Sequence, residues 1–330
     1  MTRLVITGGT GTLGTSLLNQ ITKSNRLSNL NYSEVVVFSR NEASQYSLKK
    51  EFGDSIDCVI GDVRDFEALY KLFEEGDHVI HAAAIKHIDI AERNPEEAIK
   101  TNVSGALALS NAAKNRGVAR VIGISTDKAC NPNSTYGSSK LLAEKIFQSA
   151  NDKSQTIFSS ARFGNLLGSS GSVFHYWKKL LTENSALPVT HVEMTRFFFD
   201  VNRAAEFVLS IFEMQQGGET FVPSLSSFRI DDLANFLSDG RPREYVGLRL
   251  GEKLHEELIN ESEIMNSFHS DGICVIKPLY PNNGFEMPIN SRSMREPINS
   301  KNYTLFNQEV ETVGKYAMSP WQMQEFLKGI

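Results

Sequence analysis

Cysteine is scarce. The three residues Cys58, Cys130 and Cys274 in a chain of 330 are odd in number and unpaired in spacing, which excludes a disulfide framework and fits a reducing compartment. A basic excess is also missing. The 34 lysines and arginines stand against 39 acids, net −5, and they are dispersed, so nothing points to nucleic-acid binding. No apolar run approaches the length of a membrane span. The first strand begins at residue 3, leaving no room for a signal peptide before it. Repeats and low-complexity tracts are absent. His78 and His81 have no acidic or cysteine partners at ligand spacing, so no metal is expected. These absences describe a soluble cytoplasmic protein. The 41% apolar content suffices for a full domain with a second, smaller lobe.

The first half alternates strands with helices. Strands are predicted at Leu4–Thr7, Val35–Ser39, Asp57–Ile60, His78–His81, Val118–Ser125 and Thr156–Phe163, and the clearest helix at Glu96–Lys114. That order predicts a parallel, doubly wound α/β sheet. After the first strand comes Gly8-Gly-Thr10-Gly11-Thr12-Leu13-Gly14, then an apolar helix start. Glycines at 8, 11 and 14 permit a tight turn, close approach to a pyrophosphate and close helix packing, and the helix N-terminus offers N–H groups to the anion. Between strand and helix, this is a dinucleotide site of Rossmann type.

The second strand ends in Ser39-Arg40-Asn41, where an NAD site would place an acid on the ribose 2′-hydroxyl. A hydroxyl and a guanidinium suit a 2′-phosphate instead, so NADP is expected over NAD, with Glu42 close enough to keep NAD open. Asp62 and Val63 follow the third strand, where Asp62 can accept from the adenine amine. Ala82, Ala83 and Ala84 follow the fourth, small enough for a cofactor to lie against the backbone. Lys86 and His87 come next, at the carboxyl end of the sheet where ligands bind, or else form a surface pair.

The densest chemistry is Ser125-Thr126-Asp127-Lys128 through Tyr136-Gly-Ser-Ser-Lys140. Tyr136 and Lys140 are four apart at a helix start and share a face. A phenol beside a fixed ammonium ionises more readily and becomes a general base. Spacing alone does not decide this. Tyr46 and Lys50 have it too, in a charged helix where a solvated pair is the better reading. Beyond Gly164 the alternation becomes irregular. The expected division is a cofactor core over 1–165, with a returning helix at Arg203–Met214, and a smaller carboxyl-terminal substrate-binding lobe over 166–330. Trp321 and Phe326 read as docking contacts.

The glycine turn and the Tyr136/Lys140 pair resemble the extended short-chain dehydrogenase/reductase superfamily. Six further stretches resemble its polysaccharide-biosynthesis branch: Ser125–Ala129, His81–His87, Arg162–Gly168, Gly171–Val173, Met194–Phe197 and Gly247–Glu257. Within that branch the chain is most similar to the inverting UDP-N-acetylglucosamine 4,6-dehydratases. The resemblance implies that Tyr136, helped by Lys140, takes the O4 proton while C4 gives hydride to NADP⁺. Lys128, if its amine is neutral, removes the C5 proton. Asp127 protonates the departing C6 hydroxyl, Thr126 bonds the O4 region, and hydride returns to C6. In retaining relatives a glutamate replaces Lys128, so an amine goes with inversion at C5. The resemblance places Asn165 and Arg249 at the UDP diphosphate, Arg196, Arg229 and Glu252 in the nucleotide lobe, and Lys86 and His87 along the sugar. It also implies a homo-oligomer. Ser170 and Leu250 depart from the family's usual Arg and Pro, and Ser238–Val246 is short. These differences fall in the nucleotide-sugar lobe. A UDP-sugar 4-epimerase or 4-ketosugar reductase would need Tyr136, Lys140 and cofactor but not Asp127-Lys128. A non-catalytic NADP-binding sensor would need neither pair.

Overall fold

The computed structural model describes residues 2–23, 32–151, 154–169, 172–238, 241–270 and 272–278. The first half builds β1 (Thr2–Thr7), α1 (Thr12–Lys23), β2 (Tyr32–Ser39), α2 (Glu42–Phe52), β3 (Asp57–Ile60), α3 (Phe66–Leu72), β4 (His78–His81), α4 (Ile88–Arg93), α5 (Pro95–Ala98), α6 (Gly105–Arg116), β5 (Arg120–Thr126), α7 (Thr135–Ala150) and β6 (Ile157–Phe163). The rest adds β7 (Asn165–Leu167), α8 (Val173–Thr182), β8 (Leu187–Val189), β9 (Thr195–Asp200), α9 (Val201–Met214), β10 (Thr220–Pro223), β11 (Ser227–Arg229), α10 (Ile230–Ser238), β12 (Arg243–Tyr245), α11 (Glu261–Ile264), β13 (Ser267–Ser270) and β14 (Ile273–Ile276).

Among the described residues, nine strands form the main sheet in the order β13-β14-β10-β6-β5-β4-β1-β2-β3. From β3 to β10 every pairing is parallel; the β13–β14 hairpin closes the far edge antiparallel. Strand order reverses at β1, where Thr7 lies opposite both Phe38 and His81. Ligands of open α/β sheets bind outside the carboxyl ends at such a point. The middles of the central strands β1, β4 and β5 are apolar because helices cover both faces. Leu4, Val5, Ile6, Val79, Ile80, Val121 and Ile122 are fully buried. One face packs on Leu17 and Leu18 of α1 and Phe207 and Val208 of α9. The other packs on Leu69 of α3, Leu109 of α6 and Phe147 of α7.

A smaller layer carries its own core of Trp177, Leu187, Val189, Phe198, Phe228 and Leu233. It is built on the sheets β11-β9-β7 and β12-β8. Trp177 Nε1 donates to the Pro188 carbonyl at 3.1 Å, satisfying the indole inside this core.

Two expectations change. The strands do not sort at residue 165, because β10, β13 and β14 join the main sheet. These short strands fall where the strand–helix alternation is irregular, so their place in the sheet shows only through pairing with β6 and with each other. The stretch expected as one helix at Glu96–Lys114 is α5 and α6 joined by π-helical Ile99–Ser104. That wide turn buries Asn102. The loop positions Ser170, Gly171 and 279–283, and Trp321 and Phe326, lie outside the described residues. Among the described residues, no helix is long and apolar enough to cross a membrane.

Candidate active site

The glycine turn is built for close approach. Gly8 has φ 72°, and a Cβ on it would lie 2.6 Å from the Ala83 nitrogen. A Cβ on Gly14 would overlap the Gly9 backbone, so α1 packs where only glycine fits. Gly8 N–H donates to the Phe38 carbonyl at 2.8 Å and Gly11 N–H to the Gly8 carbonyl at 3.0 Å. The α1 helix then opens at Thr12 with no acidic residue in its first turn, leaving its N-terminal dipole unopposed by charge. Thr10 and Thr12 are half-buried at this turn, while Leu13 anchors it in the core. At the end of β2, Ser39 Oγ accepts from Gln45 Nε2 at 3.0 Å. Arg40 is exposed, with Nη1 3.8 Å from Asp62 Oδ2. Burial pushes the Asp62 carboxyl up, but hydrogen bonds and charge from Arg64 outweigh it and leave Asp62 below its usual range. Val63 is buried, Ala82 and Ala83 line the wall behind Gly8, and Ala84 is half-buried just beyond them. A cradle that a Cβ would fill, a helix end without an acid and a phosphate-matching arginine fit a dinucleotide.

The acid–base loop follows directly from β5. Thr126 ends the strand, and its Oγ1 accepts from Lys128 N–H at 3.4 Å, starting a 3₁₀ turn over Asp127–Ala129. Ser134 caps α7 through Gly137 N–H at 3.1 Å. Gly137 has no room for a Cβ because the Lys128 carbonyl occupies that space. Loop and helix are therefore in direct backbone contact, which brings Asp127, Lys128, Thr126 and Tyr136 together. Thr126 Oγ1 donates to Asp127 Oδ1 at 2.9 Å, and Tyr136 hydrogen-bonds Thr126.

Lys128 Nζ lies 2.9 Å from Asp127 Oδ1, 3.2 Å from Asn165 Oδ1 and 3.4 Å from Glu256 Oε1. Asp127 is completely buried, and its Oδ2 has no hydrogen-bond partner. Burial, with Glu256 nearby, raises the Asp127 carboxyl although Lys128 and Thr126 oppose the rise. Such a carboxyl takes up a proton more readily than an ordinary aspartate. Burial disfavours the Lys128 ammonium, yet Asp127 and Glu256 more than offset this and hold its pKa above the ordinary value. The expected base role requires a neutral amine, whereas the two carboxylates favour the ammonium.

Tyr136 differs as well. Burial pushes its phenol up to about 12, and the opposing influences come from the Lys128 charge and the Thr126 hydrogen bond, not from Lys140. Burial drives the Lys140 amine down to about 8, against the pull of Glu144 one turn along. Behind them, Asn102 ties the loop after β4 to α7. Its side chain exchanges both hydrogen bonds with the Ile85 backbone, at 2.8 and 3.0 Å, and donates to Ser139 Oγ at 2.9 Å. Arg162 on β6 holds Glu144 and Glu263 in a buried cluster beneath α7.

The nucleotide-lobe candidates divide. Asn165 faces Lys128 rather than standing apart from the acid–base loop. Arg196 is buried and donates to the Thr195 and Leu254 carbonyls at 2.7 and 3.2 Å. Arg229 is engaged by Asp232 in a two-point ion pair at 2.8 and 2.7 Å. Arg249 is exposed, and Glu252 Oε2 accepts from its N–H at 3.3 Å. Lys86 and His87 are exposed on the turn into α4. Glu256, not Glu252, is the acid of this motif that reaches Lys128.

The fold and the glycine turn define a dinucleotide-binding α/β protein in which an Asp127–Lys128 pair lies beside Tyr136. The chain belongs to the polysaccharide biosynthesis protein family, whose model matches residues 4–278. It is similar to the UDP-N-acetylglucosamine 4,6-dehydratase (inverting) of Campylobacter jejuni, 40% identical over 83% of this chain and 82% of that protein. A UDP-glucose 4-epimerase of Rickettsia massiliae is 35% identical over 79% of this chain and 78% of its own. Among solved structures, Pen from Bacillus thuringiensis superposes with a TM-score of 0.83 at 30% identity, covering 99% of this chain and 98% of that one.

Proposed function

We propose that this chain is an NADP-dependent UDP-N-acetylglucosamine 4,6-dehydratase that inverts C5. The observation that carries the reading is the Asp127–Lys128 pair, its carboxylate fully buried, beside Tyr136. Redox at C4 needs a phenol and a cofactor; eliminating water across C5 and C6 needs a separate acid and base. Gly8, Gly11, Thr12 and Gly14 would hold the pyrophosphate, with Ser39 and Arg40 at the 2′-phosphate. When bound, the nicotinamide supplies the acceptor for hydride from C4 and its return to C6. Tyr136 takes the O4 proton, with Thr126 and Lys140 orienting it. Asp127 gives its proton to the C6 hydroxyl, which leaves as water, while Lys128 Nζ takes the proton from C5.

That elimination starts from carboxylic acid and neutral amine, so the Lys128 ammonium favoured at rest first releases its proton to solvent. It ends as carboxylate and ammonium, which the 2.9 Å separation of Asp127 and Lys128 would hold as an ion pair. C5 then takes a proton derived from solvent on the opposite face, and Lys128 gives its own proton up to solvent, which restores the amine. The proton gained at Tyr136 balances the one lost from Asp127. Lys86 and His87 line the sugar; Asn165, Arg196, Arg229, Arg249 and Glu252 serve the nucleotide. The reading carries with it a cytoplasmic homo-oligomer, which light scattering on the purified chain tests.

Incubating the protein with UDP-N-acetylglucosamine in deuterated water tests the function. The product should weigh one water less and carry deuterium at C5. The similarity to an epimerase supports a second reading, in which the sugar keeps its mass and only C4 changes. Parallel titrations with NADP and NAD test the cofactor. Arg40→Ala should weaken NADP by about tenfold and leave NAD nearly unaffected.

A further inference from the structure

Glu256 is 2% exposed and lies within a carboxyl-terminal segment, yet it reaches the loop after β5. One ammonium, Lys128 Nζ, sits between Asp127 Oδ1 at 2.9 Å and Glu256 Oε1 at 3.4 Å. Two buried carboxylates therefore share one lysine cation. The other charged and titratable groups acting on them are Tyr136 on α7, Arg196 on β9, and Lys253, whose Nζ lies 3.7 Å from Glu256 Oε2. Lys253 also donates to the Cys130 carbonyl, fastening its segment to the acid–base loop. The cations are distributed unequally: Lys128, Arg196 and Lys253 all favour the Glu256 carboxylate, whereas Lys128 is the cation that favours ionised Asp127.

We infer that Glu256 is a positioning residue of the acid step: its carboxylate matches the Lys128 ammonium and leaves Asp127 as the carboxyl that carries the proton. This rests on the dehydratase reading for its purpose, though not for its test. Two carboxylates in one dry site cannot both ionise freely, so the one with fewer cations takes up the proton. Burial raises the Glu256 carboxyl, but Lys128, Arg196 and Lys253 bring it below its ordinary value, opposite in direction to Asp127. The pair titrates as a unit, so the quantity to follow is the change when one member loses its charge.

The test uses the whole chain without ligand, labelled with ¹³C at the aspartate carboxyls. The Asp127 resonance is identified by its loss in Asp127→Asn. In Glu256→Gln its midpoint should fall by at least about one pH unit, tenfold in proton affinity. Glu256→Asp, which keeps the charge on a shorter arm, should lie between. If Glu256→Gln does not fold, the wild-type-to-Glu256→Asp difference decides. A midpoint that stays in place or rises in the folded variant overturns the inference. Wild-type elimination in deuterated water is scored separately. Its absence would remove the dehydratase reading while the titration still decided what Glu256 does.

Discussion

Two buried clusters in this molecule each set one cation between two carboxylates, and they serve different ends. Arg162 directs its N–H groups to Glu144 at 3.0 and 2.7 Å, Glu263 at 2.8 and 2.8 Å and the Leu258 carbonyl at 2.9 Å. A guanidinium has five N–H donors, and these bonds use them all. Lys128 sits between Asp127 and Glu256, where Asp127 Oδ2 and Glu256 Oε2 have no hydrogen-bond partner. Arginine cannot give up its proton, whereas lysine can. The saturated cluster fixes α7 to β6 and α11. The unsaturated one, where Lys253 also lies 3.7 Å from Glu256, leaves two carboxylate oxygens without a hydrogen bond beside a cation that can release its proton.

The comparison breaks most sharply at Arg162. Arg162→Ala strands two buried carboxylates and should cost about 3–5 kcal/mol, read by urea unfolding. A loss under about 1 kcal/mol would remove the anchor role. Lys128→Arg is the reciprocal change, a permanent charge where a releasable proton is needed. It should cut deuterium incorporation at C5 by about 10²–10⁴-fold with little loss of stability. Retained exchange would refute Lys128 as the base.

The third prediction concerns pH. Asp127 has its folded pKa above the unfolded value of 3.8, so as pH rises past that value the unfolded chain releases this proton first. Stability contributed at this position therefore declines with rising pH until the folded carboxyl ionises. Glu263 goes the other way. Burial raises it, but the Arg162 bonds and charge leave it lowered, so its contribution is present above its unfolded value of 4.5 and is lost as pH falls through the folded pKa. Urea unfolding across this range should show Asp127→Asn gaining on wild type as pH rises, and Glu263→Gln losing. A constant difference for either would contradict the assigned shift. The smallest effect is expected at the solvated pair: Tyr46 is 74% exposed, so Tyr46→Phe should stay within about 0.5 kcal/mol and leave turnover intact.

Much of the site was legible because its parts are contiguous. The glycine turn lies between strand and helix, and Asp127, Lys128, Tyr136 and Lys140 fall in one loop-to-helix passage, so local pattern sufficed. Strands Asp57–Ile60 and His78–His81 match their expected bounds. What stayed hidden depends on distant partners. Glu256 acquires its meaning from Lys128, 128 positions earlier, and a motif with three glutamates does not say which one turns inward. The π-helical turn that buries Asn102 keeps an apolar spacing that reads as ordinary helix. The direction of the Lys128 shift is a sum over Asp127, Glu256 and Arg196, contributed by separate segments. The short strand β10 is recognisable as a sheet member only through its pairing with β6.

At Gly137, the space a methyl group would need belongs to the Lys128 carbonyl. The separation between phenol and amine is thus governed by an atom the residue lacks. Alanine there would act as a wedge, prising the two proton carriers apart without altering either one. In this enzyme the smallest side chain sets the gauge between them.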